Sequence, residues 1–358
     1  MSSAPGAVLM AARADPMLET MFHEIECAAP VYRPSRFWEN LNKINLSMLS
    51  EHGLENLKRT VAQNYFNWLV IRGADNQLRR VFAAWLRRPS LQPFLNVLER
   101  PELLKTTMGL EKEVGRKELL IYKLFVGMLW EIASHNDKSK LAEKLEEPLV
   151  GNPITLRRRG RRISQDLANS IREFNTVLEA DPSILGHAKR VAELGAGYGR
   201  LGHVFLSDPG TRYFIFDIPP ALYVSQWYLS QLFAQEKIFR FRHIEDFQAH
   251  AAEISCCRIG FFTPNQIELF PEKFFDVFAN ISTLAEMTEA QNRNYMHHIQ
   301  RTTAHLVYLK QWSTWRNPDD ARTFTKEDVA LTAPFRCTLD RIDAVQDQFF
   351  EQVWRLDS

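Results

Sequence analysis

The sequence predicts an α/β fold: a mostly parallel sheet with helices on both faces, preceded by an all-helical N-terminal domain. Three observations carry this expectation. Val191–Leu194 is a short apolar run that enters a turn with glycine at 195, 197 and 199. A second apolar run, Tyr213-Phe-Ile-Phe216, ends on the carboxylate of Asp217. Farther on, strand-like runs alternate with helical ones, the pattern of a parallel sheet with right-handed crossovers.

In the N-terminal part the apolar spacing is helical. Ser35–Leu49 places apolar residues at 37/38, 41, 44, 48 and 49, with Ser35 positioned to cap the first turn. Leu57–Ile71 and Leu78–Leu86 continue in this style and end at Gly73 and Pro89, and Glu111–Ala133 is a further helix. No alternating run interrupts them. Turn chemistry over 148–153 and the basic run Arg157-Arg-Arg-Gly-Arg-Arg162 mark a linker, so the expected domains are 1–160 and 161–358.

From Ser164 the pattern changes. Ser164–Leu178 reads as an amphipathic helix capped by Ser164, with Asp166 and Glu173 on its polar face. Beyond Asp217 a helix is expected over Ala221–Gln235, then strands over Arg258–Pro264, Phe275–Asn280 and His305–Trp312. Helix Glu289–Thr302 separates the last two strands, and Phe335–Trp354 is expected to close the sheet with antiparallel strands at an edge.

The chain of 358 residues is long for one core and sufficient for two. With 45% hydrophobic and 24% charged residues its composition is that of an ordinary globular protein. A net charge of +1 gives no field that would gather nucleic acid or an anionic membrane. Cys27, Cys256, Cys257 and Cys337 lack metal-ligand spacing, so free thiols in the reducing cytoplasm are expected. The most apolar run, Leu119–Trp130, contains Lys123 and is too short to span a bilayer. Met1–Ala14 lacks the regions of a signal peptide. No divalent-metal site is expected, and the oligomeric state is open.

Ligands of an open α/β sheet lie at the carboxyl ends of the strands. Four positions converge there: Gly195–Gly199, Asp217, Thr263-Pro264-Asn265 and Asn280. Asp217 is placed to accept the hydroxyls of a ribose, its alternative being a helix cap before Pro219-Pro220. The dinucleotide fingerprint G-x-G-x-x-G fits Gly197, Gly199 and Gly202 but leaves Gly195 and Ala196 as extra residues. Begun at Gly195, it meets Arg200 where the third glycine should stand. The pattern from Glu193 through Gly195, Gly197 and Gly199 instead resembles the first motif of class I S-adenosylmethionine-dependent methyltransferases. A nicotinamide oxidoreductase and a non-catalytic binding module stay open as alternatives.

Together with Phe216-Asp-Ile-Pro-Pro-Ala-Leu222, Ser225-Gln-Trp-Tyr-Leu-Ser230 and Asn280-Ile-Ser-Thr-Leu-Ala-Glu-Met287, this motif is similar to a bacterial family of sugar O-methyltransferases. Phe37-Trp-Glu39 and Gly53–Tyr65 resemble that family's N-terminal segment. The resemblance implies a Rossmann-like domain that transfers a methyl group from S-adenosyl-L-methionine to a hydroxyl of a sugar-containing acceptor, in polysaccharide or glycoconjugate synthesis. It implies that Glu193, Gly195, Ala196, Gly197, Gly199, Asp217, Ile218 and Asn280 hold the cofactor.

On the acceptor side, Asn280, Ser282 and Glu286 follow the fourth strand of the α/β part. Glu286 shares a face with Ser282 if a helix begins there, and is a candidate base or acceptor-orienting carboxylate. The plain alternative is an acid at a helix start. His243 and the pair His297-His298 are further candidates. Tyr198 and Trp227 are either stacking rings or packing. The basic run 157–162 is either a solvated linker or a clamp for the phosphates of a nucleotide- or lipid-linked acceptor.

Overall fold

The computed structural model describes residues 15–59, 74–86, 116–135, 137–186, 189–316 and 322–356. By contacts the chain groups into two compact units. Met1–Leu54, Ser183–Ile342 and Gln348–Ser358 form the first, and Glu55–Pro182 with Asp343–Asp347 the second. Neither break falls at 160, and the segment ending at Leu54 belongs with the sheet.

In the first unit, helix α1 (Pro16–Cys27) starts at Asp15, whose Oδ1 accepts the N–H of Met17 at 2.8 Å. Proline occupies the first helical position, where no ladder donor is lost. Helix α2 (Arg36–His52) is capped by Ser35, as expected, and ends at Gly53. Its buried stripe is not the apolar one read from the sequence. Asn42, Asn45 and Leu46 are buried, whereas Ile44 is 47% exposed. The helix packs over polar strand ends, which reward side chains that can hydrogen-bond.

The second unit contains α3 (Ala74–Leu86), α4 (Arg116–His135), the single turn α5 (Leu141–Lys144) and α6 (Gln165–Ala180). Helix α4 packs against both α3 and α6. Most of the helix expected over Leu57–Ile71, and the start of the one expected over Glu111–Ala133, lie outside the described residues. Ser164 caps α6, accepting the N–H of Leu167 at 3.0 Å, but Asp166 and Glu173 are buried rather than solvated.

The basic run is not a linker. It folds into a hairpin, β1 (Leu156–Arg158) against β2 (Arg161–Ile163), so the N-terminal part is not all-helical. Arg158 pairs with Glu131 and Arg162 with Glu146, leaving Arg157, Arg159 and Arg161 exposed at the hairpin.

The sheet of the first unit takes the chain from β3 (Lys189–Leu194) through α7 (Arg200–Phe205) to β4 (Thr211–Phe216). Next come α8 (Ala221–Leu232), β5 (Ile238–Phe239), α9 (Ala251–Cys256) and β6 (Ile259–Phe262). The chain then crosses back to β7 (Phe275–Ile281), α10 (Glu289–Thr302) and β8 (Thr303–Trp312). A small hairpin, β9 (Thr314–Arg316) with β10 (Thr323–Thr325), precedes the closing pair β11 (Phe335–Ile342) and β12 (Phe349–Leu356).

The strand order is β11-β12-β8-β7-β3-β4-β6-β5. Strand β3 pairs in parallel with both β4 and β7, which makes its carboxyl end the switch point of a Rossmann-like, doubly wound sheet. Only β12 runs antiparallel, between β8 and β11, so the tail closes the sheet as expected. Phenylalanines of the strands and of the loops between them pack into one cluster. Phe262 meets Phe270 at 5.0 Å and 89°, and Phe274 meets Phe275 at 5.0 Å and 90°, the edge-to-face geometry that aromatic quadrupoles favour.

Candidate functional site

After Leu194 the chain turns through Gly195, Gly197 and Gly199, whose φ angles are 73°, 59° and 85°. Side chains rarely tolerate that left-handed region, so the spacing of the glycines is a backbone requirement. At Gly195 space matters as well: a Cβ there would lie 2.1 Å from Thr283 Oγ1, in the segment that follows β7. The N–H of Gly195 donates to Phe216 O at 2.8 Å, which ties the turn to the end of β4.

Asp217 is the next residue of the chain after β4 and is 6% exposed. Its Oδ2 accepts the N–H of Gly197 at 2.9 Å and its Oδ1 accepts the N–H of Ile218 at 2.8 Å. The carboxyl therefore organises the glycine turn, a role that neither the ribose nor the helix-cap expectation contained. Burial pushes Asp217 up to about 7, against the N–H groups of Gly197, Ile218 and Ala196, which favour its charged form.

Glu286 is not an acid at a helix start. It ends a single 3-10 turn, Leu284–Glu286, and α10 begins three residues later behind Thr288, so Glu286 does not share a helix face with Ser282. It is 7% exposed, and burial pushes its carboxyl up to about 8, against the hydrogen bond donated by Trp38. Trp38 Nε1 donates to Glu286 Oε2 at 3.1 Å, and Ser35 Oγ donates to the Glu286 carbonyl at 3.1 Å. One turn farther along α2, Asn42 Nδ2 donates to Pro219 O at 3.1 Å. Residues 35, 38 and 42 lie on one face of α2. That face spans from the segment after β7 to the segment after β4. Nothing in the sequence reading placed it at the site; the only signal was asparagine at 42 and 45 on a helix otherwise read by its apolar spacing.

A carboxyl whose folded pKa lies above its unfolded value, near 4, contributes stability that is complete below about pH 4 and is lost as pH rises through the folded value. For Asp217 and Glu286 the loss falls between about pH 4 and about 8, on the order of a few kcal/mol at about 1.4 kcal/mol per unit. The thermal midpoint of the ligand-free protein is expected to fall between about pH 5 and about pH 9, and to fall less in Asp217→Asn/Glu286→Gln. Equal slopes in scanning calorimetry would mean that these carboxyls are not buried in solution.

Ser282 also marks this corner. It is a non-glycine residue with φ 64°, held by its N–H to Lys310 O at 2.7 Å and by Trp312 Nε1 donating to its Oγ at 3.0 Å. Such backbone strain concentrates at functional sites.

The other candidates fall in different places. Asn280 is fully buried at the strand ends, but its amide is engaged: Nδ2 donates to Leu194 O at 2.8 Å, and Oδ1 accepts from Gln311 Nε2 at 2.5 Å. It stitches β3, β7 and β8 together. Glu193 lies within β3 and accepts the Tyr213 hydroxyl at 2.6 Å. His243 is 60% exposed and contacts Glu24 Oε2 of α1 at 2.6 Å, while Glu24 Oε1 accepts from Asn265, in the turn after β6, at 2.8 Å.

His297 is exposed. His298 Nε2 lies 3.0 Å from the Tyr32 hydroxyl, which donates to Glu268 Oε1. Burial, with Arg301 nearby, pushes His298 down to about 4. This chain of contacts fastens the Pro30–Tyr32 turn to α10 and carries no candidate role. Tyr198 packs edge-on against Tyr228 at 5.1 Å, and Trp227 is half-buried on α8. Among the described residues no group of three histidine, cysteine or acidic side chains is placed to hold a metal ion. No described helix is long and apolar enough to cross a membrane.

No protein-family model and no curated protein matches the chain. Solved structures that resemble it cover about half of it. A SAM dependent methyltransferase from Aquifex aeolicus is 10% identical, covers 52% of this chain and 89% of its own, and gives a TM-score of 0.34. The 1,6-didemethyltoxoflavin-N1-methyltransferase of Burkholderia thailandensis, solved with S-adenosylhomocysteine, is 18% identical over 54% of this chain and 86% of its own, with a TM-score of 0.35. Magnesium protoporphyrin IX methyltransferase from Synechocystis, solved with SAM, is 12% identical over 53% and 84%, also with a TM-score of 0.35. Likenesses this distant assign no role to any residue here.

Proposed function

We propose that this chain is an S-adenosylmethionine-dependent O-methyltransferase acting on a hydroxyl of a sugar-containing acceptor. The observation that supports it most is the Asp217 carboxyl fastened to the N–H of Gly197 at the switch point of the sheet. The carboxyl already takes the Gly197 N–H, a donor that a pyrophosphate laid against the turn would use. It suits a ligand that brings ribose hydroxyls, a sulfonium and an ammonium instead. The departure from the dinucleotide spacing at Arg200 argues in the same direction.

In this reading Gly195, Ala196, Gly197, Gly199, Asp217 and Ile218 contact the cofactor, while Glu193 and Asn280 shape the strand ends beneath it. Bound there, S-adenosylmethionine would supply its sulfonium methyl to the acceptor oxygen, with the carbon–sulfur bond breaking as the new carbon–oxygen bond forms. The hydroxyl proton passes to Glu286. Near Glu286 and Ser282, Phe37 stands 5.9 Å from Trp38 and 6.2 Å from Trp315, and Trp312 stands 5.2 Å from Trp315. A group of aromatic side chains beside a carboxyl is the composition that suits a sugar, which has an apolar C–H face and hydroxyls at its edge.

Isothermal titration with S-adenosylmethionine, S-adenosylhomocysteine and NAD tests the cofactor, and methyl transfer to a sugar panel tests the acceptor. Asp217→Ala is expected to weaken S-adenosylmethionine binding by about 1.5–3 kcal/mol, the range for hydrogen bonds to charged groups. Unchanged affinity in a folded variant would remove Asp217 from the cofactor site.

A further inference from the structure

Helix α2 carries a polar atom for which the fold provides no use. Asn42 is 5% exposed, and its Oδ1 has no hydrogen-bond partner. The orientation of its amide is fixed, because Pro219 O can only accept and therefore requires the Nδ2 side of Asn42. What remains is a buried acceptor next to the segment that leaves Asp217. A buried polar atom left unpaired opposes folding, and it is tolerated where a ligand completes it.

Its location decides which ligand. On the same face of α2, Trp38 reaches Glu286, the acceptor end of the site. Asn42, one turn along, reaches Pro219, two residues past Asp217. The free oxygen thus belongs to the end where the ribose is expected. Being an acceptor, it selects a donor, an O–H or N–H group.

We propose that Asn42 is a cofactor-binding residue, its Oδ1 accepting a hydrogen bond from the adenosine half of S-adenosylmethionine, so that α2 closes over the cofactor. The inference rests on the proposed function and deepens it. Adenosine offers two sources of the donor, the ribose hydroxyls and the exocyclic amino group.

The test is titration of wild type and Asn42→Leu with S-adenosylhomocysteine, adenosine, 2′-deoxyadenosine, 3′-deoxyadenosine and purine riboside, which lacks the amino group. Asn42→Leu is expected to bind S-adenosylhomocysteine and adenosine about tenfold or more weakly, in line with loss of one buried hydrogen bond. The loss should disappear for the one analogue that lacks the donor, and this identifies the donor as hydroxyl or amine. The apo thermal midpoint should change little, because the substitution removes the unpaired oxygen along with the hydrogen bond to Pro219 O, two effects of opposite sign. Asn42→Ala is measured in parallel in case leucine is not accommodated.

Unchanged affinity, or a loss of the same size for every analogue, overturns the assignment. Failure of the wild type to bind S-adenosylhomocysteine removes the proposed function itself. Normal wild-type binding with unaltered variants removes only the role of Asn42.

Discussion

Gly197→Val is expected to abolish S-adenosylmethionine binding while the sheet stays folded. Gly197 has φ 59°, a region that costs an ordinary L-residue roughly 1–2 kcal/mol and a β-branched one more. Relief of that strain would rotate the 197 N–H away from Asp217 Oδ2, which it now meets at 2.9 Å. The turn and the carboxyl would be lost together, so affinity should fall by roughly 100-fold or more, about 2.7 kcal/mol at about 1.4 per decade. Gly197→Ala separates conformation from bulk, since it shares the φ problem without the branched side chain and should lose less. Circular dichroism and the thermal midpoint confirm the fold, and titration measures the affinity. Normal binding by the valine variant would mean that the turn is purely structural and that the cofactor site lies elsewhere.

What the sequence revealed of this site follows from the kind of constraint each part obeys. The strands, the turn and Asp217 were legible because apolar runs, glycine spacing and a strand-terminal acid each reflect a local backbone requirement. The contribution of α2 was not. Its apolar residues suggested a stripe through Ile44, but the helix lies over strand ends and turns Asn42 and Asn45 inward instead. A polar partner cannot be inferred from apolar spacing. The pairing of Trp38 with Glu286 joins residues 248 positions apart, and no local pattern encodes such a contact. Strands β1 and β2 were hidden for another reason: three residues are too few to show alternation, and their arginines read as a charge run. Glu286 was a candidate from the sequence, but its surroundings were misread, because the helix after β7 begins at Glu289 rather than near Ser282.

Those surroundings set the expected result for Glu286→Gln. The substitution keeps the shape and the acceptor oxygen for Trp38 and removes the titrating carboxyl, so S-adenosylhomocysteine affinity should hardly move. If Glu286 takes the proton of the acceptor hydroxyl, kcat should fall by the roughly 10²–10⁴-fold typical of lost general-base catalysis. Burial pushes Glu286 up to about 8, so only the minor, ionised form can act as base at neutral pH. Turnover by the wild type should therefore rise as pH passes through about 8 and level off above it, whereas Glu286→Gln should lack that rise. If Glu286 instead only orients the sugar, the loss should appear chiefly as a raised KM, with the pH profile of kcat unchanged. The plain alternative, an acid at a helix start with no part in the reaction, predicts normal kcat and KM. The burial of Glu286 and its hydrogen bond from Trp38 already argue against it. Trp38→Phe adds a discriminating arm. If Trp38 works through the carboxylate by favouring its charged form, its loss should move the rise in kcat to higher pH in the wild type and have little effect in the Glu286→Gln background. Equal losses in both backgrounds would assign Trp38 to packing alone and leave Glu286 without the partner that aims it.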